Sequence, residues 1–218
     1  MQIPVRRLTL FVGFLGLAAG PLQGQQVRVG LSAFAGAYLP TNDLFDSVRL
    51  RPDTSSLIIF NLGQEPGLLV GGRLTVRFSR LSVEAEAGYA FASLDIPNAV
   101  VQAGANNDAS VFLGSVNALY DVIRAAFSPL SIYLSGGLGI VARGGDFLDQ
   151  FSGTTSLSLA LGGGFRYGLS RTTFLRVDIR DYVSSFTPTA RSGFEFDSKT
   201  QNDLIGTIGL EISLSPTQ

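Results

Sequence analysis

Polar side chains, most of them charged, recur at every second position in three short runs of this chain: Arg73-Leu74-Thr75-Val76-Arg77, Glu84-Ala85-Glu86, and Arg176-Val177-Asp178-Ile179-Arg180. Arg28, Arg166 and Glu211 stand in similar alternating surroundings. Carboxylates on one face can share a proton, and arginines can hold an anion or fork onto a carboxylate. Neutral-pH general-base catalysis is done most often by histidine, and the sequence has none. It has no cysteine either, which excludes a thiolate metal site and a disulfide framework. The glycine clusters at 135–139 (SGGLG) and 161–165 (LGGGF) lack the strand–turn–helix context of a phosphate loop. They read as places where strands bend and large neighbours find room. No catalytic residue, cofactor or metal site is expected, and no nucleic-acid partner.

What must position the charges is a row of strands. Beyond residue 26 the chain alternates with period two in eight runs: Val27–Leu39, Leu68–Phe78, Leu81–Leu94, Ser110–Tyr120, Ser131–Arg143, Ser156–Tyr167, Phe174–Val183 and Leu204–Leu214. In each run one face is apolar and the other holds the polar residues, among them Arg28, Arg73, Arg77, Glu84, Glu86, Arg166, Arg176, Asp178, Arg180 and Glu211. Soluble strands usually have about five or six residues. Ten residues, tilted by about 40°, give an apolar band near 25 Å tall, the height of a membrane barrel's girdle. Charged residues make up only 15% of the chain and 26 residues are glycine, which suits a surface that meets something other than water.

The N-terminus has the form of an export signal: basic Arg6 and Arg7, then an apolar stretch from Leu8 to Ala19, too short to span a bilayer as a helix. Cleavage after Gly24 is expected, making 1–24 a signal peptide and 25–218 one barrel domain of net charge −3. Connections alternate in length. Those at 40–67, 95–109, 144–155 and 184–203 are longer than those at 79–80, 121–130 and 168–173. In a membrane barrel the long ones face outside the cell. They carry eleven of the seventeen acids: Asp43, Asp46, Asp53, Glu65, Asp95, Asp108, Asp146, Asp149, Glu195, Asp197 and Asp203. Divalent cations or surface ligands are the partners expected there, and outer-membrane lipid around the barrel.

An eight-stranded barrel is just wide enough for side chains to fill, so charges on its inner face must pair. A two-residue turn at Ser79-Arg80 sets Phe78 opposite Leu81, Thr75 opposite Glu84 and Arg73 opposite Glu86. Arg73–Glu86 contact is expected, with Arg73 and Arg77 bracketing Glu84. The other reading of this row is a proton or ion path. On the apolar face, Phe78, Tyr120 and Tyr167 end strands at the turn side, and Tyr89 and Phe91 lie near the loop side. They are expected to form interfacial aromatic girdles.

The export signal, the run GAYLPTNDLF (36–45), the strand FLRVDIRDY (174–182) and the ending IGLEISL resemble small outer-membrane β-barrel proteins of the OmpA-like and OmpW-like type. The last strand ends on Leu214 rather than the usual aromatic residue. The resemblance implies an all-β fold: an eight-stranded antiparallel transmembrane β-barrel, an up-and-down meander following a cleaved signal peptide. It implies a Gram-negative outer membrane and a non-enzymatic protein of envelope structure or surface binding. A narrow, porin-like channel for small or apolar solutes is the alternative. A soluble lipocalin-like barrel would also have eight strands, but with its apolar row inside.

Overall fold

The computed structural model describes residues 27–42, 45–50, 58–95, 107–124, 129–145, 151–152, 154–186, 189–190 and 199–214. The proposed signal peptide and most of the loop acids lie outside them. Among the described residues twelve strands run in chain order: β1 (Val27–Pro40), β2 (Phe45–Leu50), β3 (Ile58–Gln64), β4 (Gly67–Phe78), β5 (Leu81–Asp95), β6 (Asp108–Arg124), β7 (Leu130–Gly144), β8 (Phe151–Ser152), β9 (Thr155–Gly168), β10 (Thr173–Phe186), β11 (Thr189–Ala190) and β12 (Lys199–Ser213). No described residue is helical.

Eight long antiparallel strands close on themselves in the order β1-β4-β5-β6-β7-β9-β10-β12-β1. Closure leaves no unpaired strand edge in the wall, the condition for crossing lipid with a sheet. The register also staggers. Paired residues lead from Leu31 through Leu74, Ala85, Val116, Leu138, Leu159 and Val183 to Asn202. Asn202 lies beside Thr41, whose N–H donates to its carbonyl at 3.0 Å. One circuit thus returns to β1 ten residues further along. With eight strands about 4.8 Å apart, that stagger tilts them by roughly 40°, within the range of membrane barrels.

The apolar rows face outward. Leu138 is 73% exposed, Leu157 82% and Leu134 60%, while Arg73, Arg176, Glu84 and Asp178 are buried inside the barrel. A soluble ligand-binding barrel would have the opposite arrangement. Strand β6 keeps the same parity: Phe112, Val116, Ala118 and Tyr120 point out, and Ser115 and Asn117 point in. The β4–β5 hairpin turns on Ser79-Arg80 with φ 57° at Ser79, the positive φ that a type II′ turn places first.

Two expectations change. The connection 40–67 is not simply a loop: it contains the β2–β3 hairpin, and β3 joins β5 through Gly63–Asp95 and Gln64–Leu94 pairs. The last long connection is also shorter than expected, because β10 runs to Phe186 and β12 begins at Lys199. Those extensions are rich in serine, threonine and asparagine, so apolar alternation fades there although the backbone ladder continues.

The glycines at 162 and 164 lie on the inner face and serve close approach. A Cβ on Gly164 would meet the Val177 carbonyl at 2.2 Å and the Tyr133 hydroxyl at 2.8 Å. Gly164→Ala is therefore expected to cost about 1–3 kcal/mol, as overpacking does. A lowered urea midpoint of the folded barrel checks this.

Candidate functional site: the charged lumen

Inward positions from all eight strands stack into layers. Near the turn end, Arg77 Nη2 pairs with Glu211 Oε1 at 2.6 Å. Arg166 Nε lies 3.3 Å from Glu211 Oε2, and its Nη1 lies 3.6 Å from Asp121 Oδ1. Arg28 is half-buried at this mouth and has no ion pair among the described residues.

The middle layer holds three arginines and three carboxylates. Arg73 pairs with its cross-strand neighbour Glu86, reaches across the lumen to Asp178 Oδ2 at 2.9 Å, and donates to Thr207 Oγ1 at 2.8 Å. Arg176 pairs with Glu84 and, at 2.9 Å, with Asp178 Oδ1. Arg180 places Nη2 3.1 Å from Glu84 Oε1 and Nη1 2.8 Å from Glu86 Oε2. Tyrosines and a threonine satisfy remaining acceptors. Tyr182 donates to Glu86 Oε1 at 2.6 Å, Thr75 to Glu84 Oε2 at 2.9 Å, and Tyr133 to Asp178. Flat rings back the guanidiniums, with Arg73 4.1 Å from the Phe34 centroid and Arg176 5.0 Å from that of Tyr133.

Toward the loop end the lumen becomes apolar. Leu69, Ala90, Val111, Leu113, Val141, Ala160 and Ile205 form one buried cluster with Phe34, Tyr38 and Tyr182. Above it lies a second polar knot. Tyr38 donates its hydroxyl proton to Asp203 Oδ1 at 2.5 Å, and Gln64 Oε1 lies 3.1 Å from the same hydroxyl. Arg143 pairs with Asp203 Oδ2 at 2.5 Å and donates to Gln64 Oε1 at 3.2 Å.

Two expectations fail on side-chain direction. Arg77 does not bracket Glu84; it turns to Glu211, while Arg176 and Arg180 from the far wall hold Glu84 and Arg73 Nε stands 3.9 Å away. Asp203 is not a loop acid: it is 1% exposed, inside the barrel on β12. Strand extension carries it inward, and Arg143 satisfies its charge. Glu65 and Asp108 do stand exposed. Sequence reasoning also missed Asp121, Arg143, Gln64 and the three buried tyrosines Tyr38, Tyr133 and Tyr182. Each shares the inward parity of its strand. Tyrosine counts as apolar in a hydropathy pattern, so its role as a luminal donor left no signal.

The aromatics named from the sequence all occupy the outward row. Phe78 is paired with Val27 and Leu81, and Leu81 with Tyr120, all near the turn end, where Tyr167 opposes Leu130 and Leu175. Tyr89 and Phe91 meet edge to face, with centroids 5.0 Å apart, toward the loop end. Among the described residues no group of three or more histidine, cysteine or acidic side chains could hold a metal ion.

The model of the outer membrane protein beta-barrel domain matches residues 9–215. Among solved structures, the fold is similar to the outer membrane protein OprG from Pseudomonas aeruginosa, at 14% identity and TM-score 0.59, over 87% of this chain and 96% of that one. It is also similar to Neisserial surface protein A, at 16% identity and TM-score 0.50, over 87% and 99%. Outer Membrane Protein W of E. coli matches at 14% identity and TM-score 0.50, over 87% and 98%. At these identities the likeness is one of fold alone. No curated protein sequence matches the chain.

Proposed function

The chain belongs to the outer membrane protein beta-barrel family and resides in the cell outer membrane, and from that premise we propose that it is a non-enzymatic envelope protein: a sealed barrel that braces the membrane and displays acidic loops at the cell surface. The observation that carries this reading is the plugged lumen. Three arginines and three carboxylates interlock in mid-barrel, and the apolar cluster from Leu69 to Ile205 lies above them. Water and ions crossing the barrel would have to break buried ion pairs and then wet an apolar layer, each at a cost of several kcal/mol. Exposed Glu65 and Asp108 support an acidic outer surface suited to cationic partners.

Single-channel recording of the mature protein in planar bilayers tests the reading. No steady conductance is expected. A reproducible conductance step would overturn it in favour of the narrow channel.

A further inference from the structure

Charge is balanced through most of the lumen and unbalanced at one end. In the middle layer Arg73, Arg176 and Arg180 meet Glu84, Glu86 and Asp178; toward the loops Arg143 meets Asp203. At the turn end the lumen opens into a cavity of about 200 Å³, walled by four guanidiniums, Arg28, Arg77, Arg124 and Arg166, and one carboxylate, Asp121. Glu211, behind Arg77 and Arg166, is the other acid in reach. Among the described residues four cations therefore meet two anions at this mouth, and one of those anions, Glu211, is shared with Arg176 Nη1 at 3.5 Å.

Hydrogen bonding points the same way. Arg166 is 2% exposed, yet its Nη2 has no hydrogen-bond partner and its Nε meets only Glu211 Oε2, as an ion-pair contact at 3.3 Å; Arg77 Nε has no partner either. Buried donors are nearly always satisfied, so these require an acceptor. Asp121 does not supply it: at 3.6 Å from Arg166 Nη1 it is beyond hydrogen-bond range, and both its oxygens also lack donors. A water between Asp121 and Arg166 would serve that pair. It would leave the positive surplus and Arg77 Nε as they are. The Arg77 guanidinium carbon lies 5.8 Å from the Phe174 ring centroid, and Arg124 Nη1 donates to the Ser79 carbonyl at 3.2 Å, which holds that exposed arginine at the rim.

We propose that this mouth is a binding site for a phosphate-type anion. A phosphate offers several charged oxygens in a compact group, which suits converging guanidiniums better than a single carboxylate does. The chemistry has two sources. One is a soluble phosphate compound entering from the turn side. The other is a phospholipid headgroup, because the cavity sits beside the outward aromatics Phe78 and Tyr120, paired close to Arg77.

The test uses the mature protein folded in dodecyl maltoside, which contributes no phosphate, titrated calorimetrically with inorganic phosphate at low salt. One saturable site is expected. Substituting Arg28→Gln and Arg124→Gln together should weaken it by about tenfold or more, the loss expected for charge-assisted hydrogen bonds. Arg171→Gln, an exposed arginine on the neighbouring turn, should change nothing. If the double variant does not fold, Arg124→Gln alone keeps the comparison, since Arg124 is exposed and outside the ion network. Repetition in phosphatidylglycerol vesicles separates the sources: binding retained there indicates a soluble phosphate, and binding suppressed there indicates headgroup occupancy. No saturable binding in maltoside at millimolar phosphate, or equal losses from Arg171→Gln and the mouth variants, would overturn the proposal.

Discussion

Glu84→Ala is expected to destabilise the folded barrel by about 3–5 kcal/mol, the cost of leaving buried charges without their partner. Glu84 is fully buried and faces Arg176, Arg180 and Arg73 from three directions, with Thr75 donating as well. Its removal leaves two carboxylates, Glu86 and Asp178, among three guanidiniums in a layer capped by apolar side chains. Glu84→Gln keeps the shape and an acceptor but not the charge, so it should lose less than alanine and still well over 1 kcal/mol. Urea unfolding of the barrel in lipid vesicles, extrapolated linearly to water, reads both values. A loss below about 1 kcal/mol for Glu84→Ala would mean that water reaches this layer, and the sealed-lumen argument would go with it.

Ile208→Arg carries the second large effect. Ile208 lies mid-strand on β12, faces outward beside Ala35 and Val177, and is 55% exposed. On a protein standing in water, an arginine at so exposed a site would change stability by no more than about 0.5 kcal/mol. On a lipid-facing wall near the bilayer midplane it should cost about 2–4 kcal/mol. The comparison is made between vesicles and detergent micelles, where the arginine can reach water more easily. A penalty present in vesicles and reduced in micelles is the expected pattern; equal stability of variant and wild type in vesicles would contradict the lipid-facing assignment.

Much of this architecture was legible in the chain because strand geometry is local. Side chains alternate between faces whatever lies elsewhere, so the apolar row from Leu81 to Phe91 and the inward row of Glu84 and Glu86 follow from residue order alone. The two-residue turn at Ser79-Arg80 then sets the β4–β5 register, and with it the Arg73–Glu86 pair. Legibility ended where the pattern stopped being apolar against polar. Asp203 stands in a run of Thr200, Gln201 and Asn202, which reads as loop but continues β12. Tyr133 and Tyr182 read as apolar yet donate hydrogen bonds to Asp178 and Glu86.

The sequence by itself therefore determined the eight wall strands, their inward and outward faces, the absence of histidine chemistry, and the partner of Arg73 across one tight hairpin. Only the tertiary structure decided who meets whom across the lumen: Arg176 and Arg180 with Glu84, Arg73 with Asp178, Arg77 with Glu211. The reason is the stagger of ten residues. It accumulates over eight strand pairings, so the height of β10 and β12 relative to β4 and β5 is a property of the closed barrel. That height leaves the middle layer with equal numbers of opposite charges, and it leaves the arginines at the turn-end mouth in excess.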